Sequence, residues 1–129
     1  MTKEQKQLLF KDLCARLPYK VKAQYFDIEN ECFDEDTIEY IDVSGKEPEI
    51  GISQYGISID KIKPYLRPMS SITKEEEKEL IHEFRGSHTT QDSIEELDWY
   101  LQRHFDIRDL ISKGLALEAP KGIYNIKQK

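Results

Sequence analysis

The chain is poor in cysteine, histidine and tryptophan, and it has no long apolar run. Its two cysteines, Cys14 and Cys32, are too few and too unpatterned for a disulfide framework, so a packed core must hold the fold. Both are expected to stay reduced in a cytoplasmic protein, with Cys14 on the apolar side of a helix. Nothing approaches the ~18 consecutive apolar residues of a membrane span. The polar opening, Met1 to Lys6, has no apolar stretch of a secretory signal. Cytoplasmic localisation without membrane contact is therefore expected. The three histidines, His82, His88 and His104, lack partners at metal-ligand spacing and are expected at the surface.

Basic residues are almost missing from the middle of the chain. Between Asp27 and Asp60 there are eleven acids and one base, Lys46, so that stretch carries −10 and the remainder +4 of the chain's net −6. Such a field repels nucleic acid, which needs a basic footprint. A protein partner for an acidic surface is expected instead, with Asp27, Glu29, Glu31, Asp34, Glu35 and Asp36 as its candidate contacts.

What the chain does have is periodicity. Its 129 residues suit a single domain spanning 1–129, and 38% of them are hydrophobic. Thr2 and Gln5 form a capping box, and Leu9, Phe10, Leu13, Cys14 and Leu17 recur at helical spacing, which predicts a helix over Lys3 to Arg16. Pro18 stops it. Val21, Ala23 and Tyr25 alternate as in a strand, and so do three further short segments around Ile38 to Val43, Ile50 to Ile52 and Ile57 to Ile59. The acidic segment Asp27 to Asp36 reads as a loop or frayed hairpin end. Pro64 and Pro68 make Ile62 to Ile72 a surface crossing.

A second capping box, Thr73 with Glu76, opens a helix bearing Leu80, Ile81 and Phe84 that ends near Gly86. A polar linker, Ser87 to Gln91, precedes a third helix with Ile94, Leu97, Leu101 and Phe105 on one face. Trp99 lies opposite that stripe, either against a second neighbour or partly exposed. Asp106 is expected to cap a short helical turn ending at Gly114, and Gly122 to Ile126 to add an edge strand. The expected fold is α+β. It has an N-terminal helix, a central antiparallel meander of about four strands that could curl into an SH3-like barrel, and two to three C-terminal helices.

Catalytic and metal motifs fail on inspection. Asp27, Glu29 and Glu31 start like a calcium loop, but Cys32 stands where glycine is required and Ile38 where glutamate is required. His82-Glu83 starts like a zinc-protease helix, but Gly86 occupies the second histidine position. Gly51 to Gly56 misses the nucleophile elbow by one residue. No catalytic residue, metal or cofactor is assigned. The softer signal is a set of turn-proximal tyrosines, Tyr19, Tyr55, Tyr65 and Tyr124, near Arg67 and Arg108. Tyr19, Tyr65, Arg67 and Arg108 could form a recognition surface, or plug the core with their polar ends in water. Asp106 and Asp109 beside Arg108 are the alternative candidates, as the lining of a small-molecule or nucleotide pocket or of a weak hydrolase's site.

Three segments read as signatures: Lys11 to Tyr19 (KDLCARLPY), Ile62 to Thr73 (IKPYLRPMSSIT) and Phe105 to Ala119 (FDIRDLISKGLALEA). Together they resemble a family of small uncharacterised proteins from gut Bacteroides-type bacteria and their phages and mobile elements. The resemblance implies a cytoplasmic setting and a mobile-element origin, and it carries no activity or catalytic residue. One departure is Lys20, where glycine is expected after Leu-Pro-Tyr. A positive φ there would strain a lysine. The leading expectation is a non-enzymatic interaction module, and the alternative is the small-molecule-binding domain.

Overall fold

The computed structural model describes residues 1–84 and 90–124. Helix α1 (Lys3–Arg16) starts with the expected box: Gln5 N donates to Thr2 Oγ1 at 3.1 Å, and Thr2 N donates to Gln5 Oε1 at 2.9 Å. A 3-10 turn, Leu17–Tyr19, follows, and Lys20 then takes φ 56° and ψ 52°. The left-handed conformation expected of a glycine is thus held by lysine. Leu9 and Leu13 enter the core, whereas Cys14 is exposed, so the apolar face of α1 is narrower than the sequence period suggests.

Among the described residues six strands form one sheet: β1 (Lys22–Asp27), β2 (Cys32–Asp42), β3 (Glu49–Ile52), β4 (Tyr55–Ser58), β5 (Ile62–Leu66) and β6 (Leu117–Glu118). Their order is β4-β3-β2-β1-β5-β6. The first four make the expected antiparallel meander, while β5 returns to the free side of β1 and β6 joins β5 in parallel. Two strand expectations need correction. The acidic segment is mostly strand, with only residues 28–31 in the turn between β1 and β2. The segment with Pro64 is also a strand, with Ala23 opposite the proline. Since β6 pairs only with Tyr65 and Leu66, β5 is locally an edge at Pro64, where a missing N–H is tolerated.

The sheet does not close into a barrel; β4 and β6 are its two edges. A register shift between Ile38 and Tyr40 bends β2. The sheet coils enough to bring the Tyr25 and Tyr55 rings within 6.2 Å. Its concave face meets Leu9 and Leu13 through Val21, Ala23, Tyr25, Ile38, Ile50, Ile52, Ile59, Ile62 and Leu66, and Leu110, Leu115 and Ala116 complete the core.

Two C-terminal helices follow, α2 (Lys74–Phe84) and α3 (Thr90–Gln102). The Thr73–Glu76 box is present, with Glu76 N donating to Thr73 Oγ1 at 3.1 Å and Thr73 N to Glu76 Oε1 at 3.0 Å. The stripe on α3 divides: Leu101 is buried, but Ile94 and Leu97 are exposed. Trp99 is buried, stacked on Phe105 at 6.1 Å, with its indole N–H donating to Glu79 Oε1 at 3.2 Å. Beyond α3 the chain runs in turns, without the expected helical segment. Asp106 still caps, accepting from the backbone N–H groups of Leu110 and Ile111 at 2.8 and 2.9 Å. Residues 122–124 are not strand, and β6 forms the edge instead; residues 125 and 126 lie outside the described residues, as do the expected helix end at Gly86 and residues 87–89 of the expected linker, His88 among them, while residues 90 and 91 of that linker open α3.

Candidate functional site

Several residues singled out in the sequence belong to an internal network. Arg67 is buried. It donates to both Glu76 oxygens at 2.8 and 2.7 Å and to the Ser71 carbonyl at 3.1 Å, and it lies 4.1 Å from the Phe105 ring centroid. Arg16, fully buried, donates to Asp12 at 2.6 and 3.2 Å and to the Phe105 carbonyl at 2.7 Å. Arg108 reaches the same Asp12 at 2.9 Å. Asp106 sits beside Phe105 and gives its N–H to the Arg67 carbonyl at 2.8 Å. Arg67 and Asp106 thus lie at Phe105 on an ion pair and a cap, whereas Arg108, partly exposed, is linked to them only through Asp12 and Arg16. Asp109, at φ 58°, is exposed.

The tyrosines divide as well. Tyr65 is buried, and its hydroxyl faces Gln24 Nε2 at 3.5 Å. Burial pushes its phenol pKa up, with a further contribution from Glu35. The Tyr124 hydroxyl donates to the Tyr65 carbonyl at 2.8 Å and accepts from Lys22 N at 2.8 Å, tying β1 to β5. Its burial raises the phenol to about 12. Its ring stacks on His104 at 3.7 Å. His104 is thus not the surface residue expected, and its Nδ1 is buried without a hydrogen-bond partner among the described residues. Tyr19 is half-buried on the 3-10 turn after α1, apart from this network.

A different surface carries the exposed groups. Along β1, Ala23, Tyr25 and Asp27 turn inward and Lys22, Gln24 and Phe26 outward. Phe33 of β2 stands opposite Phe26, and their rings meet edge to face at 5.3 Å. Both remain open to solvent, at 41% and 66% exposure, and Ile28 in the adjoining turn is at 79%. Exposed aromatic and branched groups in one hairpin are uncommon without a binding role. Two clefts adjoin Phe26 and share Lys61. One, about 310 Å3, is lined by Gln24, Phe33 and Lys63. The other, about 470 Å3, is lined by Ile28, Pro48, Glu49, Gly56, Ile57 and Ser58.

The acidic residues frame this hairpin. Asp27 is the exception, buried and structural: its carboxylate accepts from Glu29 N at 3.0 Å, Asn30 N at 3.3 Å and Asn30 Nδ2 at 2.7 Å, closing the turn. Glu29, Glu31, Asp34, Glu35 and Asp36 are exposed. Glu29 also reaches β4, where its hydrogen bond raises the Tyr55 phenol pKa. Sequence reasoning missed Phe26, Ile28 and Phe33. The signal was the alternation of Tyr25 and Asp27 with Gln24 and Phe26, which continues β1 into the acidic segment.

Among the described residues no group of three or more histidine, cysteine, aspartate or glutamate side chains could hold a metal ion, and no helix is long and apolar enough to cross a membrane. No protein-family model matches the chain, and neither does any curated protein or solved structure among those compared.

Proposed function

We propose that the chain is a non-enzymatic protein-binding module whose contact surface is the β1–β2 hairpin. The observation that carries this reading is the exposed Phe26–Phe33 pair, flanked by Ile28 and framed by carboxylates. An apolar centre inside a charged rim is the anatomy of a protein interface. The rim selects a partner with an apolar knob bordered by lysine or arginine, because like charges facing Glu29, Glu31, Asp34, Glu35 and Asp36 would be repelled. The resemblance to proteins of phages and mobile elements supports a bacterial cytoplasmic setting, with a host or phage protein as the partner.

Panning a displayed library of linear peptides against the immobilised chain tests the reading. The expected consensus is an aromatic or branched residue beside basic ones, with binding lost in Phe33→Ser and weakened as salt rises. Recovery of no consensus, or of binders indifferent to Phe26 and Phe33, would overturn it.

A further inference from the structure

The cleft of about 470 Å3 does more than adjoin Phe26: it opens onto the free edge of the sheet. Among the described residues strand β4 is hydrogen-bonded to β3 alone. The connection between them is a two-residue turn, with Ser53 at φ 48° and Gln54 at φ 70°, the pair of positive values that defines a type I′ hairpin. In that hairpin the flanking residues Ile52 and Tyr55 form a hydrogen-bonded pair, and every second pair does the same. Ile50 with Ile57 is therefore also bonded. Gly56 and Ser58, the intervening residues of β4, turn their N–H groups away from β3, and Gly56 turns its carbonyl away too. Both residues line the cleft.

Natural sheets blunt such an edge by keeping it very short or with proline, a bulge or a charge. Strand β4, Tyr55-Gly56-Ile57-Ser58, is short but carries no proline, bulge or charged side chain. Across the cleft stand the side chains of Phe26 and Ile28, while Pro48 and Ile57 add apolar wall. Two carboxylates lie by the first half of the strand: Glu29 bonds Tyr55, and Glu49, outside the ion pairs of the described residues, lays its carboxylate against Gly56. Lys61 also lines the cleft, beside Asp60.

We propose that the partner binds by strand addition: a short extended peptide segment pairs with the free edge of β4 at Gly56 and Ser58. It places one apolar side chain between Phe26, Ile28 and Ile57, with basic residues for Glu29 and Glu49. Only an extended backbone presents donors and acceptors at the spacing of this edge, and the period of two sends alternate side chains into the cleft. The inference rests on the protein-binding reading above and specifies its mode.

Ser58 supplies the test. Its φ is −60°, the value proline imposes, and its N–H points away from β3. Ser58→Pro therefore fits the backbone of β4 while removing an edge donor, and Ser58→Ala is the control that keeps it. The probes are the linear peptides recovered by panning the full chain, titrated by fluorescence anisotropy. Expected are roughly tenfold or greater weakening of Ser58→Pro relative to Ser58→Ala, about 1.4 kcal/mol, and an alternating pattern of tolerance when each peptide amide is N-methylated in turn. Wild-type affinity in a folded Ser58→Pro variant, or no alternation in the methyl scan, would overturn strand addition. Should Ser58→Pro fail to fold, the methyl scan on the wild-type chain decides alone. Peptides that lose binding with Phe33→Ser but not with Ser58→Pro would leave the protein-binding reading standing and remove only its mode. Recovery of no peptide overturns both.

Discussion

Arg67 and Glu76 join the sheet to the second helix through a two-pronged ion pair, at 2.7 and 2.8 Å, with both side chains nearly out of water. Arg67 directly follows β5, and Glu76 closes the capping box of α2. One carboxylate therefore caps its helix and docks it. Burial disfavours its charge, but Arg67 and the Thr73 bonds outweigh that, and the Glu76 pKa is held below the usual glutamate value.

Removing Arg67 leaves that carboxylate buried without its cation. Breaking a buried pair from one side costs about 3–5 kcal/mol. Arg67→Ala is expected to lose stability of that order, and to lose it from the α2 attachment first. Urea unfolding followed by Trp99 fluorescence checks the size, because Trp99 packs at the α2–α3 contact through Glu79. A loss below about 1 kcal/mol would mean the pair behaves as a surface bridge.

The exposed aromatic pair should behave in the opposite way. Phe33 has little to lose on folding, since two thirds of it stays in solvent, and its edge-on contact with Phe26 is worth about 0.5–1.5 kcal/mol. Phe33→Ser is expected to shift the unfolding midpoint slightly while removing peptide binding. Loss of the native circular dichroism spectrum in this variant would instead assign the pair a folding role.

Lys20 offers a gain. Its left-handed backbone costs a non-glycine residue about 1–2 kcal/mol, and glycine adopts it freely at some entropic cost to the unfolded chain. Lys20→Gly should raise stability by about 1 kcal/mol, visible as a higher Tm in differential scanning calorimetry. An unchanged or lower Tm would show that the lysine side chain compensates the strain.

The same residues show where the sequence was readable. The capping boxes at Thr2 and Thr73 are local, involving side chains three positions apart, so both helix starts could be placed from sequence. The turn after Leu-Pro-Tyr is also local, and Lys20 takes a positive φ there. Strand β2 was less legible because Cys32 to Asp36 are all exposed, so no alternation of apolar and polar residues marks that half. Proline at position 64 argued against a strand, and only the shortness of β6, set by residues more than fifty positions away, makes it acceptable. The same distance hid the network at Phe105. Arg16, Arg67 and Arg108 look like surface charges until α1, β5 and the turn after α3 are brought together.

His104 makes the network sensitive to acid. Burial, reinforced by the charges of Arg16 and Arg67, lowers its pKa from 6.5 to about 4. A depressed folded pKa means that the unfolded chain takes up the proton first. The stabilisation is therefore complete above about pH 6.5 and is lost as pH falls through the window from 6.5 to about 4. A shift of that size corresponds to at most about 3 kcal/mol, less where solvent reaches the ring. Asp60, lowered chiefly by the Ser58 hydroxyl, and Glu76 add losses only below their unfolded values, near 3.8 and 4.5. His104→Asn isolates the histidine, since asparagine tolerates the φ of 65° and does not titrate. Urea unfolding at pH 7.5 and pH 5 should show wild-type stability falling between them, with a flatter dependence in His104→Asn even though that variant loses the Tyr124 stack. Equal slopes in the two proteins would place the acid sensitivity elsewhere.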